Sequence, residues 1–333
     1  MSDPNQEFQA PPPPSIQETP ERKRPPNMIA VGIVLFVLGI VILCAGIFKI
    51  LVGGAATGGA VCALGVLLFA LGFVPLPEVT ANAPAPMGFL SRLTGIFFEP
   101  TNVFRNLRSH PRWVAGLLLV AILNAAYVAV FYQRLTPERI VNFTMDKLAD
   151  SPIKPPPEAM EQARQNALDQ ATQPVQRVQT AVKSIVAAFF FLAFLAGLNL
   201  LGILAFGGRM NFWQTMAVLV YVALPVAIIS KLVSFIILFV KSPDDIHPLI
   251  GQETLVQDNL GVLFASKDHP VLFVTASAIG VLSFYRLWLA AKGLHEGGEK
   301  VSSSAGWGVA ITVWLLALLL GVAAAAIFPS FLS

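Results

Sequence analysis

The amino-acid sequence predicts an all-α fold: a polytopic transmembrane helical bundle of seven spans with a short extramembrane helical hairpin. Seven apolar runs are each long enough to cross a bilayer as a helix, which takes roughly 20 residues. They lie near residues 28–52, 57–76, 113–132, 184–206, 215–240, 271–291 and 307–328. Within them only Lys49, Lys231 and Arg286 carry charge. The whole chain is 55% hydrophobic and 12% charged with a mean hydropathy of +0.69, outside the range of water-soluble domains.

Taken in chain order, residues 1–27 hold eight prolines and little apolar surface, so they cannot offset the entropy of ordering and read as a disordered cytoplasmic tail. A cleaved signal peptide is not expected, because the first apolar run is longer than a signal core and follows the tail. Arg22, Lys23 and Arg24 abut the first span and place the tail in the cytoplasm; seven spans then put the C-terminus outside. Arg92, Arg105, Arg108, Arg112, Arg209, Lys292 and Lys300 fall on the same side as the tail, which supports this orientation. Against it, the outer loop 133–183 also carries seven lysines or arginines beside six acids. Composition and the brief tail point to a bacterial inner membrane.

Residues 28–76 form a glycine-striped transmembrane hairpin. Gly32, Gly39 and Gly46 recur every seven residues in the first run, and Gly58, Gly65 and Gly72 do so in the second. Lipid tails are as apolar as leucine, so helices associate where small residues let their backbones approach. The linker Gly53–Ala56 makes the two helices antiparallel neighbours. Cys44 sits about 200° around the helix from Gly46, which disfavours a disulfide with Cys62.

Residues 77–111 read as a cytoplasmic linker carrying an interfacial amphipathic helix. Phe89, Leu90, Leu93, Ile96, Phe97, Val103, Phe104 and Leu107 form its apolar side, and Arg92, Arg105 and Arg108 are set toward lipid phosphates. Packing of that helix against the bundle is the alternative. Residues 112–330 are a five-span unit. Its outer loop 133–183 reads as a helical hairpin: Thr136 caps a helix that starts at Pro137, Pro155–Pro157 interrupt, and a second helix through Met160, Ala163, Ala167 and Ala171 runs past Pro174 into the next span. Asn142, Phe143 and Thr144 spell a glycosylation sequon.

Candidate chemistry is sparse. The sequence holds no P-loop, HExxH, nucleophile elbow, dinucleotide fingerprint or CxxC pair, so neither cofactor nor catalytic residue is assigned. The small net charge of +3 is spread over several loops and gives no basic tract for nucleic acid. Asp244, Asp245 and His247, with Asp268 and His269, are the nearest approach to a metal constellation, but ordinary turn chemistry at span ends accounts for them. Lys231 lies nine residues before Val240, about 13 Å into its span. An ionisable group at that depth suggests a transport site with Pro225 and Asn199, or else snorkels out toward Asp244 or Asp245. Arg286 snorkels near an inner end, and Asn124 and Asn199 are interhelical hydrogen-bond partners.

Three stretches resemble the Yip family, membrane proteins named for interaction with small GTPases. They are Phe98–Arg105, with its proline and aromatic P-x-x-x-F pattern; Gly207–Phe212 followed by Tyr221–Pro225, a glycine-rich turn and a mid-helix Y-x-x-x-P; and Leu287–Leu294 followed by Ser302–Ser304. The resemblance spans roughly residues 89–330. It implies five spans, a cytoplasmic N-terminus and a non-enzymatic scaffold or organiser that packs with itself or with other membrane proteins in the lipid bilayer. Eukaryotic members are implicated in small-GTPase binding, but the short tail here offers no element for it and that partner is not carried over. The alternatives are a small transporter or channel using Lys231, Pro225 and Asn199, and a membrane metalloenzyme using His247 and His269.

Overall fold

The computed structural model describes residues 24–25, 27–78, 83–150, 156–266 and 268–329. Among them it is helical, with only isolated bridges in place of strands. The proline-rich tail up to residue 23, with Arg22 and Lys23, lies outside the described residues.

Helices α1 (Met28–Ile47) and α2 (Gly54–Leu71) form an antiparallel hairpin. The first apolar run does not stay helical to residue 52. Lys49 (φ 59) and Gly53 (φ 75) take left-handed backbone and reverse the chain, so Lys49 lies in a turn and not in a span. Then come α3 (Phe89–Phe98) and α4 (Pro100–Ser109), broken at Glu99 because the residue before a proline resists helical geometry.

The longer elements follow: α5 (Val114–Leu135), α6 (Pro137–Ala149), α7 (Pro157–Thr172), α8 (Pro174–Ala205) and α9 (Phe212–Val240). Thr136 precedes α6 as expected, yet its hydroxyl makes no cap bond. The helix ending at Thr172 does not run into α8. Gln173 is extended ahead of Pro174, so α7 stops and α8 starts afresh, continuing for 32 residues. The Asn142–Thr144 triplet lies inside α6, where Asn142 accepts a bond from Arg164 Nε of α7 at 3.1 Å. Pro225 does not break α9, which runs through it for 29 residues.

Among the described residues six helices, α1, α2, α5, α8, α9 and α13 (Ser303–Ile327), are long and apolar enough to cross a membrane. The sixth expected span, 271–291, is not one helix. It divides into α11 (Pro270–Ser277) and α12 (Val281–Gly297) at an extended Gly280. The loop before it, with the short α10 (Ile250–Glu253), folds back on the break: Leu260 N–H bonds the Ile279 carbonyl at 3.0 Å, and the Asp258 carboxylate accepts Leu282 N–H at 2.6 Å.

The bundle has two ends. At the near face α1, α5, α9 and α13 begin and α2, α8 and α12 finish, with α3 and α4 laid across; at the far face lie α6, α7 and the α9–α11 loop. One apolar core fills the near two thirds around Trp213, Tyr221, Phe104 and Leu289. A smaller one, with Tyr127, Phe131, Leu135, Ile140 and Ile246, closes the far end.

Candidate functional site

The hairpin seam is built from the glycine stripe. A Cβ on Gly32 would lie 2.6 Å from Phe69 N, one on Gly39 2.5 Å from Cys62 N, and one on Gly65 2.5 Å from Phe36 N. Gly46 and Gly58 face backbone just as closely, whereas Gly72 meets the side chain of Ile29. Both cysteines are free thiols, and Cys62 Sγ donates to the Phe36 carbonyl.

The hairpin is also fastened at both ends by side chains of later helices. At the far face Gln176 and Gln179 of α8 each donate to the Val52 carbonyl at 3.1 Å. At the near face Trp213 Nε1 donates to the Val74 carbonyl at 3.0 Å and Asn211 Nδ2 to that of Pro75 at 2.8 Å. Sequence reasoning missed the two glutamines. Their signal is an i, i+3 amide pair just ahead of an apolar run, which places both on one helix face.

The near face brings the motif residues together. Phe104 of α4 is fully buried, and a Cβ on Gly293 of α12 would lie 2.9 Å from its ring and 2.7 Å from Val218 of α9. Thus the proline–aromatic stretch and the glycine of the last motif form one contact. Trp113 stacks on Trp213 at 6.3 Å, joining the starts of α5 and α9.

The α3–α4 pair packs into the bundle, contrary to the expected placement of its arginines. Arg92 is 2% exposed with its Nε on Asn106 Oδ1 at 3.3 Å, beside Tyr221, and makes no ion pair among the described residues. Arg105 bonds Glu296 at 2.8 Å and Arg108 lies 3.7 Å from Glu299, so these two are engaged by α12 and the turn after it. Burial raises the Glu296 carboxyl, but the hydrogen bond and charge of Arg105, with the charges of His295 and Lys292, outweigh it and hold it below the usual carboxylate range. What Glu296 adds to the clasp is therefore present above pH 4.5 and lost as pH falls through its lowered value. Arg105, His295 and Glu296 line a cavity of about 610 Å³ with Glu78, Arg108 and Lys300.

Near the far face lies Lys231, 8% exposed on α9. Its ammonium does not reach toward Asp244 or Asp245. It donates to the Glu253 carbonyl and sits 4.4 Å from the centre of the Tyr127 ring, so the folded-back loop meets it at its own depth. Thr254 bridges Ser230 at 2.9 Å and Ser234 at 3.2 Å, and Tyr127 donates to the Gly251 carbonyl at 2.6 Å. Ser230 and Ser234, an i, i+4 pair flanking Lys231, are the sequence signal for this cluster.

Asn199 is not part of it. It lies about 9 Å from the near end of α8, while Lys231 is about 28 Å along α9 from that face. Asn199 Nδ2 bonds the Leu195 carbonyl of its own helix, and Asn124 is exposed, so neither bridges helices. Pro225 is buried inside α9.

No group of three or more metal-ligating side chains forms among the described residues. Asp244 pairs with Arg139 at 3.0 Å, Asp245 is exposed, His247 Nδ1 accepts two backbone N–H groups and His269 precedes α11.

Residues 94–325 match the Yip1 domain. No curated protein and no solved structure matches the chain significantly. The match starts within α3 and takes in α4, in keeping with the burial of Val103, Phe104 and Leu107 in the main core. Since the match covers more than half of a multi-pass helical membrane chain, and the residues carrying the resemblance meet in its core, the protein belongs to the Yip1 domain family.

Proposed function

We propose that the chain is a non-enzymatic scaffold of a bacterial inner membrane that gathers other membrane proteins, or a second copy of itself, by helix packing. In this reading the near face and the N-terminus are cytoplasmic and the C-terminus is outside. A second lane of small residues on α2 carries the proposal. Ala55, Ala56, Gly59, Ala63 and Ala70, with Val66, are exposed along an arc of about 100° whose centre lies about 120° around the helix from that of the leucines packed on the main core. A Cβ on Gly59 would meet nothing within 4 Å. The seam glycines already serve the hairpin, and small residues on a lipid-facing arc permit close approach by another helix.

With Cys44 and Cys62 changed to serine, an Ala63→Cys protein is expected to give higher-mass crosslinked species in native membranes. Adding Gly59→Leu is expected to cut their yield severalfold without unfolding the protein. Recovery of bare monomer from the Ala63→Cys membranes overturns the proposal.

A transport role is the second reading, favoured by the folded-back loop at Lys231. Irregular backbone at membrane depth is tolerated where it is buried in protein or lines a cavity, and broken helices often bound transport sites. If Lys231 lines a path, Lys231→Ala abolishes solute or proton flux in proteoliposomes; equal flux in both proteins removes that reading.

A further inference from the structure

The far-face loop turns on His247. Its Nδ1 accepts the backbone N–H groups of Leu249 and Ile250, each at 3.2 Å, and its carbonyl accepts Gly251 N–H at 3.0 Å. One residue thus fastens the α10 turn through both side chain and backbone. With Nδ1 accepting, the neutral ring carries its proton on Nε2. That nitrogen is buried and has no partner. Phe143 of α6 meets the imidazole edge-on at 5.0 Å, and Lys147 lies 5.3 Å from the centre of the Phe143 ring. Just beyond the turn, the Gly251 and Glu253 carbonyls receive Tyr127 and Lys231.

We infer that His247 is an acid-sensitive latch: its protonation frees the α10 turn and with it the loop segment that covers Lys231.

An imidazolium has no acceptor nitrogen. Once Nδ1 gains a proton it points a donor at two N–H donors, and both bonds are lost. The charged and titratable groups around the turn are Lys147 and Arg139 from α6, Tyr127 from α5, Lys231 from α9, and Asp244, Asp245 and Glu253 from the loop itself. Arg139 and Asp244 neutralise each other, and Lys231 and Tyr127 are directed to the two carbonyls. Lys147 is the group whose charge bears on the ring, and it opposes a second positive charge. Burial first, and Lys147 second, push His247 below its ordinary value of 6.5, against a hydrogen bond with its own backbone that raises it. The unfastened turn takes up the proton more readily, so the latch holds fully above pH 6.5 and weakens as pH falls from there through the lowered value.

Hydrogen exchange of the full chain in lipid nanodiscs, compared at pH 7.5 and pH 5.0 after correction for intrinsic rates, tests this. Peptides over residues 245–256 are expected to lose protection severalfold at the lower pH, while α13 peptides hold theirs. His247→Asn supplies an oxygen that accepts the same two N–H groups and does not titrate, so it is expected to stay protected at both values; His247→Ala is expected to be open at both. In the ¹⁵N-histidine spectrum at pH 7.5 the Nε2–H tautomer is expected. Protection in the wild-type loop that ignores pH, an equal acid response in His247→Asn, or the Nδ1–H tautomer overturns the latch.

Discussion

Gly39→Leu is expected to pry α1 from α2 and lower the stability of the chain by about 3 kcal/mol, the upper end of what inserting side-chain atoms into a packed interior usually costs. The new Cβ alone would fall 2.5 Å from Cys62 N, 2.6 Å from Cys62 Sγ and 2.9 Å from the Gly58 carbonyl oxygen. Two of these three are backbone atoms of a continuous helix, so local side-chain repacking cannot relieve them. The effect should also travel. The Val52, Val74 and Pro75 carbonyls that receive Gln176, Gln179, Trp213 and Asn211 all belong to the hairpin's ends. Unfolding in mixed micelles with increasing denaturing detergent measures it, with Gly59→Leu as the matched control on open helix surface. A Gly39→Leu midpoint equal to that of Gly59→Leu would contradict the seam.

Phe104→Ala is expected to cost about 3–5 kcal/mol, the usual range for removing a buried phenylalanine ring. Phe104 is fully buried and bears on Gly293 and Val218 together, so its loss leaves a void where α4, α12 and α9 meet. Because the space denied to a side chain at Gly293 is occupied by the Phe104 ring and Val218, Gly293→Ala should be less damaging when Phe104 is already alanine. A double-mutant cycle reads that coupling directly. Additive losses would mean that the two residues do not share the contact.

Lipid-crossing helices were legible because hydrophobicity of the required length is a local property. The glycine seam was legible too, since a seven-residue recurrence on two adjacent runs marks one face on each. The sixth run misled because its composition is uniformly apolar while its shape is set from elsewhere. Gly280 is extended because Asn259 and Leu260 pair across it and Asp258 holds Leu282 N–H, contacts more than 15 residues apart in sequence that no window detects. Arg92 shows a different gap: periodicity revealed an amphipathic helix but could not say whether lipid or protein would lie against it. Asn106, whose oxygen meets both Arg92 and Met87 N–H, is the partner that settles the matter in favour of protein. Lys231 stands out in the sequence by its place within an apolar run, yet its neighbours come from a loop whose path depends on the whole far end.

The two fastenings of the hairpin bear on the order of synthesis. Val52, Val74 and Pro75 leave the ribosome well before Gln176, Gln179, Asn211 and Trp213, and domains take shape N-terminal part first during translation. For that interval the first two helices stand in the bilayer with three carbonyls awaiting donors. Nascent chains stalled before residue 174 would therefore hold a paired but undocked hairpin, the form open to insertion factors and quality-control proteases.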